Sequence, residues 1–181
     1  MSPPTLDEYV REDHAAVRST IERFHASRNS HRSEAFDELR AQLIAHEVAE
    51  EVVVLSALAS VDPALHGRCT ARMQDRSLAP TLAALGRLGA EDWRFDSLFA
   101  ELERRFDAHA DTEETMVLPA LSSSLDADEL RELGRRYVST RDRKGARRGV
   151  ADQDLVPADA TDVDAVEAHD AIAVTMQRGA L

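Results

Sequence analysis

The chain has 181 residues, 43% of them apolar and few of them Gly or Pro, with a formal net charge of −12. That length supports one domain with a real core, and the abundance of Ala, Leu, Arg, Asp and Glu favours helix over strand. The acidic balance argues against a nucleic-acid binder, which needs clustered cations for phosphates, and against docking on an anionic membrane surface. A lone cysteine, Cys69, excludes an internal disulfide framework and fits a reducing compartment. No basic and then apolar leader is visible, and no apolar run approaches ~20 residues. The expectation is a soluble cytoplasmic protein.

Thr5-x-x-Glu8 has capping-box spacing and opens the first helix, whose apolar stripe is Leu6, Val10, Val17, Ile21 and Phe24. The phase linking Val10 to Val17 passes through His14. "SRNSHRS" reads as a polar loop, and Ser33 as the cap of a second helix over 33–60. That helix carries two apolar stripes: Phe36, Leu39, Leu43, Val53 and Ala57 on one, Ile44, Val48, Val52 and Leu55 on the other. "VDPALHG" reads as a turn. A third helical stretch over 68–88 holds Leu78, Leu82 and Leu85 in phase, with Pro80 predicting a kink or a late start. A fourth helix over 95–118 carries Leu98, Leu102, Phe106, Val117 and Ala120, and Trp93 with Phe95 is expected to plug the end of the fold. Asp126-x-x-Glu129 caps a short fifth helix with Leu130, Leu133 and Tyr137 on one side. From about residue 141 the pattern decays into a basic, Gly-broken run and then an acidic stretch, read as a mostly disordered tail. The fold class predicted is all-α, an antiparallel up-down four-helix bundle over 1–140 with a charged tail over 141–181.

Two segments are written almost alike. "HEVAEEVVVLSAL" begins at His46 and "HADTEETMVLPAL" at His109, 63 residues on, and they agree at seven of thirteen positions. Helical residues four apart are offset by about 40° and residues five apart by about 140°. His46 therefore shares a face with Glu50, and His109 with Glu113, while Glu51 and Glu114 are expected to turn away. In the fourth helix the core phase runs directly through His109 and Glu113. An ionised carboxylate buried without partners costs several kcal/mol, against a net domain stability of only ~5–15 kcal/mol. No arginine lies in phase to neutralise the pair, so a shared metal is the economical reading. Imidazole with carboxylate and no thiolate suits iron, with manganese or zinc as alternatives, and a carboxylate can bridge two ions. His25, His31, His66 and His169 fall at helix ends, turns or the tail and are read as solvated.

With these pieces in hand, the chain resembles the hemerythrin family, in particular its bacterial HHE cation-binding domains, over about residues 6–121. "DHAAVR", "HEVAEE" and "HADTEETMVLPAL" carry the likeness. The resemblance implies a four-helix bundle around a non-haem di-iron centre. It implies that His14 and His46 hold one iron, that Glu50 and Glu113 bridge, and that His109 belongs to the other. The third helix departs from the family: it reads "CTARMQDRSLAPTLAAL", without histidine, and the expected ligand position falls on Asp75.

The function expected is a non-haem iron protein that binds or senses O2, NO or peroxide. No general acid or base stands out beyond the ligands, which argues against a dedicated substrate-transforming enzyme. The competing readings are a metal-poor regulatory bundle whose charged tail meets a protein partner, and a zinc- or manganese-loaded variant.

Overall fold

The computed structural model describes residues 3–146 apart from 29, 75, 76 and 91. Among these the protein is all-helical. α1 (Leu6–Ala26) is followed by α2 (Ser30–Ala49), which runs into a π-helical turn (Glu50–Leu55) and continues as α3 (Ser56–Val61). α4 (Pro63–Gln74) and α5 (Ala79–Arg87) come next. α6 (Phe95–Thr112) passes through a second π turn (Glu113–Val117) into α7 (Leu118–Ser124), and α8 (Ala127–Ala146) ends the described chain. None of the described helices is long and apolar enough to cross a membrane.

The caps explain the starts. Glu8 Oε2 accepts from the Thr5 backbone N–H at 2.7 Å, closing the expected capping box on α1. Asp126 does the same for α8, accepting at 2.9 Å from the N–H groups of Asp128 and Glu129, while Glu129 accepts from Asp126. Where a turn was expected at "VDPALHG", Asp62 accepts from Leu65 N–H at 2.8 Å and Pro63 takes the first helical position, so α4 starts there instead. Pro80 likewise sits in the first turn of α5, where its missing N–H costs nothing. It marks a late start, not a kink. α2 begins three residues ahead of the expected Ser33 cap.

Two apolar clusters are stacked along the helices. One gathers Val17, Ile21 and Phe24 of α1, Phe36, Leu39 and Leu43 of α2, Leu82 and Leu85 of α5, and Phe95, Phe99, Leu102 and Phe106 of α6. The other gathers Leu6 and Val10 of α1, Val53 and Val54 of the first π turn, Leu65 and Cys69 of α4, Val117, Leu118 and Leu121, and Leu130 and Tyr137 of α8. His14, His46 and Glu113 fall in sequence between the members of the two clusters on their helices, and His109 lies one turn before Glu113, so polar groups occupy the waist between two dry layers. Trp93 was expected to plug that end of the fold with Phe95, but it is 86% exposed, while Phe95 is buried against Phe24, Phe36 and Phe99. The fifth helix was expected to be short. It spans 20 residues, runs past the expected boundary at 140, and packs on α1, α2 and the first π turn. The basic run expected to open a disordered, partner-binding tail at Arg141 continues α8 as far as 146, and the tail beyond 146, including His169, lies outside the described residues.

Candidate metal centre

Each long helix delivers its ligand-type side chains from a buried stripe. α1 contributes His14, α2 His46, and α6 His109; Glu50 and Glu113 open the two π turns. All five are buried, and one ligand atom from each lies within 4.8 Å of the others. Asp75, the sixth expected ligand, lies outside the described residues. His25 and His31 are exposed and paired with Glu103 and Glu34, and His66 contacts Thr70, so none of them joins the cluster.

Glu50 is the hub. Its Oε1 lies 2.6 Å from His46 Nε2 and 3.8 Å from His14 Nε2, and its Oε2 lies 2.9 Å from His109 Nε2. Glu113 Oε2 stands 3.3 Å from His14 Nε2 and 3.9 Å from His109 Nε2. His109 Nε2 also lies 3.1 Å from Glu50 Oε1, so Glu50 reaches all three imidazoles and Glu113 reaches His14 and His109. The Phe106 ring packs against all three imidazoles, at centroid distances of 5.8, 6.1 and 6.5 Å, and keeps the floor of the cluster dry.

The far nitrogens decide which atoms face inward. His46 Nδ1 lies 3.1 Å from Asp13 Oδ2 and 2.9 Å from the Tyr137 hydroxyl, which itself donates to Asp13 at 2.8 Å. His14 Nδ1 lies 2.8 Å from Glu114 Oε1, and Arg11 holds the other oxygen of Glu114 at 2.6 Å. Both Nδ1 atoms therefore donate to carboxylates, which leaves the Nε2 lone pairs pointing at carboxylate oxygens. His14 Nε2, His46 Nε2 and both oxygens of Glu113 are buried with no hydrogen-bond partner. Acceptors facing acceptors need a cation between them, and metal ligands show this arrangement, with the outer imidazole nitrogen fixed by a carboxylate.

Without a metal, protons must fill that role, and the ionisation of the cluster reflects it. Burial works against an imidazolium at His14, but Glu113 and Glu50 outweigh it and raise its pKa to about 9. Burial likewise opposes charge on His46 and His109, yet Glu50 and its neighbours raise both. Two buried carboxylates so close cannot both ionise cheaply. Burial would push Glu50 up, but His109 and His46 hold it well below the ordinary range, whereas burial and the Glu50 charge lift Glu113 to about 7. Three imidazoles and two carboxylates that compete for protons in a dry waist form a set that a divalent cation satisfies better.

Sequence reasoning missed the supporting residues. Glu114 was expected to face away but holds His14; only Glu51 behaves as expected and is exposed. Asp13 lies on the buried stripe of α1 between Val10 and Val17 but was not read as a site residue, and Tyr137 read as a core aromatic. The visible signal was Asp-His at 13–14, a carboxylate next to a ligand-type imidazole. The π turns had signals too. In the second helix, the two apolar stripes mark a slip of phase, and in the fourth, Pro119 demands a break in the hydrogen-bond ladder near Thr115.

A family model described as Hemerythrin HHE cation binding domain matches residues 5–121. Among solved structures, the crystal structure of a hemerythrin HHE cation binding domain-containing protein from Mycobacterium kansasii aligns with a TM-score of 0.69 at 22% identity. It covers 79% of this chain and 88% of that one, a likeness of fold. No curated protein matches the chain. With the family model spanning well over half the chain and the buried His and Glu residues clustered within its limits, the protein belongs to the hemerythrin HHE cation-binding family.

Proposed function

We propose that the protein is a hemerythrin-like non-haem iron protein whose five clustered side chains hold a pair of iron ions for binding or sensing O2, NO or peroxide. The observation that carries this reading is the set of buried, unpartnered acceptors on His14, His46 and Glu113 gathered around Glu50. In it, His14 and His46 serve one metal and His109 the other, with Glu50 and Glu113 spanning both. Three imidazoles, two carboxylates and no thiolate suit iron, and the same donors accept manganese or zinc. The order in which each helix visits the two apolar clusters supports an antiparallel up-down arrangement of α1, α2–α3, α4–α5 and α6–α7.

A bound iron pair would supply an open coordination position for a small oxidised ligand. The chain's own residues do the remaining work. Val10, Val17, Val53, Val117 and Phe106 exclude water, and Asp13 and Glu114 fix the imidazole tautomers. The test is metal analysis of protein purified from cells grown in iron, followed by anaerobic Fe(II) addition and exposure to O2. Iron near two equivalents with ligand-to-metal charge-transfer bands supports the reading. Metal-free protein whose melting temperature ignores added Fe(II) refutes it.

A further inference from the structure

α8 lies beyond the residues matched by the family model, and a helix appended there needs only to cover apolar surface. Leu130 and the Tyr137 ring do this against the second cluster. Two polar groups of the same helix go further. The Tyr137 hydroxyl, on a fully buried side chain, donates to Asp13 Oδ2 at 2.8 Å and lies 2.9 Å from His46 Nδ1. Arg141, one turn on, reaches Asp13 Oδ1 at 3.2 Å from a side chain that is 29% exposed. The Asp13 carboxylate, 4% exposed, is thus gripped on both oxygens, and the only imidazole it touches is that of His46.

We propose that α8 is a working part of the metal centre, with Tyr137 and Arg141 as positioning residues that fix His46 through Asp13. The inference rests on the metal reading above.

The same face of α8 carries its own depth gauge. Gly134 precedes Tyr137 by three residues. A Cβ there would stand 3.0 Å from the Tyr9 ring, 3.1 Å from the Thr5 carbonyl carbon and 3.2 Å from the Leu6 nitrogen. Two of those neighbours are backbone and cannot swing aside, so only glycine lets α8 approach α1 this closely. That approach sets how far the phenol reaches, and a hydroxyl displaced by a few tenths of an ångström lengthens and weakens its bond to Asp13. Packing alone does not call for the hydroxyl, because phenylalanine fills the same space. What the hydroxyl adds is a donor that, with Arg141, keeps Asp13 aimed at His46 Nδ1 and so keeps His46 Nε2 as the inward lone pair.

The experiment compares wild type with Tyr137→Phe, Arg141→Gln, Asp13→Asn and the double variant Asp13→Asn/Tyr137→Phe. Co(II) is the probe. Its affinity is read by chelator competition and its ligand field by visible absorption, with helicity and melting of the metal-free proteins as the folding control. Asp13→Asn should weaken Co(II) roughly 10–100-fold and shift its bands. Tyr137→Phe and Arg141→Gln should each weaken it by a smaller factor with a band shift in the same direction. Adding Tyr137→Phe to Asp13→Asn should cost less than Tyr137→Phe costs on its own, because Tyr137 acts mainly through Asp13. If Tyr137→Phe fails to fold, the partly exposed Arg141→Gln carries the test. Wild-type protein that binds neither Co(II) nor Fe(II) overturns the metal reading and the inference with it. Wild type that binds while Tyr137→Phe and Arg141→Gln match it in affinity and spectrum overturns the inference alone, as does an effect of Tyr137→Phe that persists in full without Asp13.

Discussion

On the two-iron reading proposed above, the two metal positions should hold metal unequally. His14 and His46 each have Nδ1 fixed by a carboxylate, Glu114 and Asp13, and each carboxylate is anchored by an arginine, Arg11 and Arg141. His109 has no such outer support: among the described residues no carboxylate except Glu50 and Glu113 comes within ion-pairing distance of it. Losing one such outer carboxylate typically costs 10–100-fold in metal affinity. Two of them therefore separate the two positions by roughly 10²–10⁴, or about 3–5 kcal/mol, before the missing second imidazole is counted. Anaerobic titration of metal-free protein with Fe(II) against a competing chelator should show one tight and one weak equivalent. His109→Ala should keep the tight equivalent, whereas His14→Ala or His46→Ala should lose it. Two equivalents matched within tenfold, or loss of both in His109→Ala, would refute the reasoning.

Metal removal should also destabilise the fold. At a free metal concentration a thousandfold above Kd, binding adds about 4 kcal/mol, or roughly 8–16 °C in melting temperature for a domain of this size, readable by scanning fluorimetry with and without chelator. The metal-free protein should in turn lose stability as pH rises. The folded pKa of His14, about 9, lies above its ordinary 6.5, so its contribution is complete below 6.5 and disappears as pH climbs through 9. Urea unfolding at pH 6.5 and 9 should show this, and equal midpoints would count against a protonated cluster. Metal affinity should move the opposite way over the same window, since bound imidazoles must shed their protons. Away from the centre, Phe99→Ala should cost about 3–5 kcal/mol, because Phe99 is buried and stacked on Phe24 at 3.9 Å, while Trp93→Ala should stay within about 0.5 kcal/mol in the same denaturation assay.

How much of this was legible in the sequence depends on the range of the interaction. His14, His46 and His109 were readable because each lies in phase with apolar neighbours on its own helix, and Glu50 and Glu113 because four residues make one turn. Those are local rules, and they hold up to the residue where the π turn begins. Asp13, Glu114, Tyr137 and Arg141 were not readable as supports. Their partners lie 33, 100, 91 and 128 residues away, and only tertiary packing decides which imidazole or carboxylate each of them meets. Glu114 shows the limit best. By the 140° rule it belongs in solvent, yet α1 runs close enough for His14 to take it as a partner.

The two near-identical segments gain a different meaning from the backbone they share. Both π turns start on the inward glutamate, at Glu50 and at Glu113, four residues after the histidine. In each, the residues common to both copies after that point, Glu51, Val54, Leu55, Ala57 and Leu58 in one and Glu114, Val117, Leu118, Ala120 and Leu121 in the other, include those that a widened turn must rephase. The rephasing puts Val53 and Val54 on one helix, and Val117 and Leu118 on the other, into the second apolar cluster. A straight α-helix that aimed His and Glu at the centre would carry its apolar stripe past that cluster by the next turn. One extra residue in the ladder corrects the drift at the cost of a poorer hydrogen bond. The repeat therefore encodes two things at once, a pair of inward donors and the bulge that lets the same helix keep its core on either side of them.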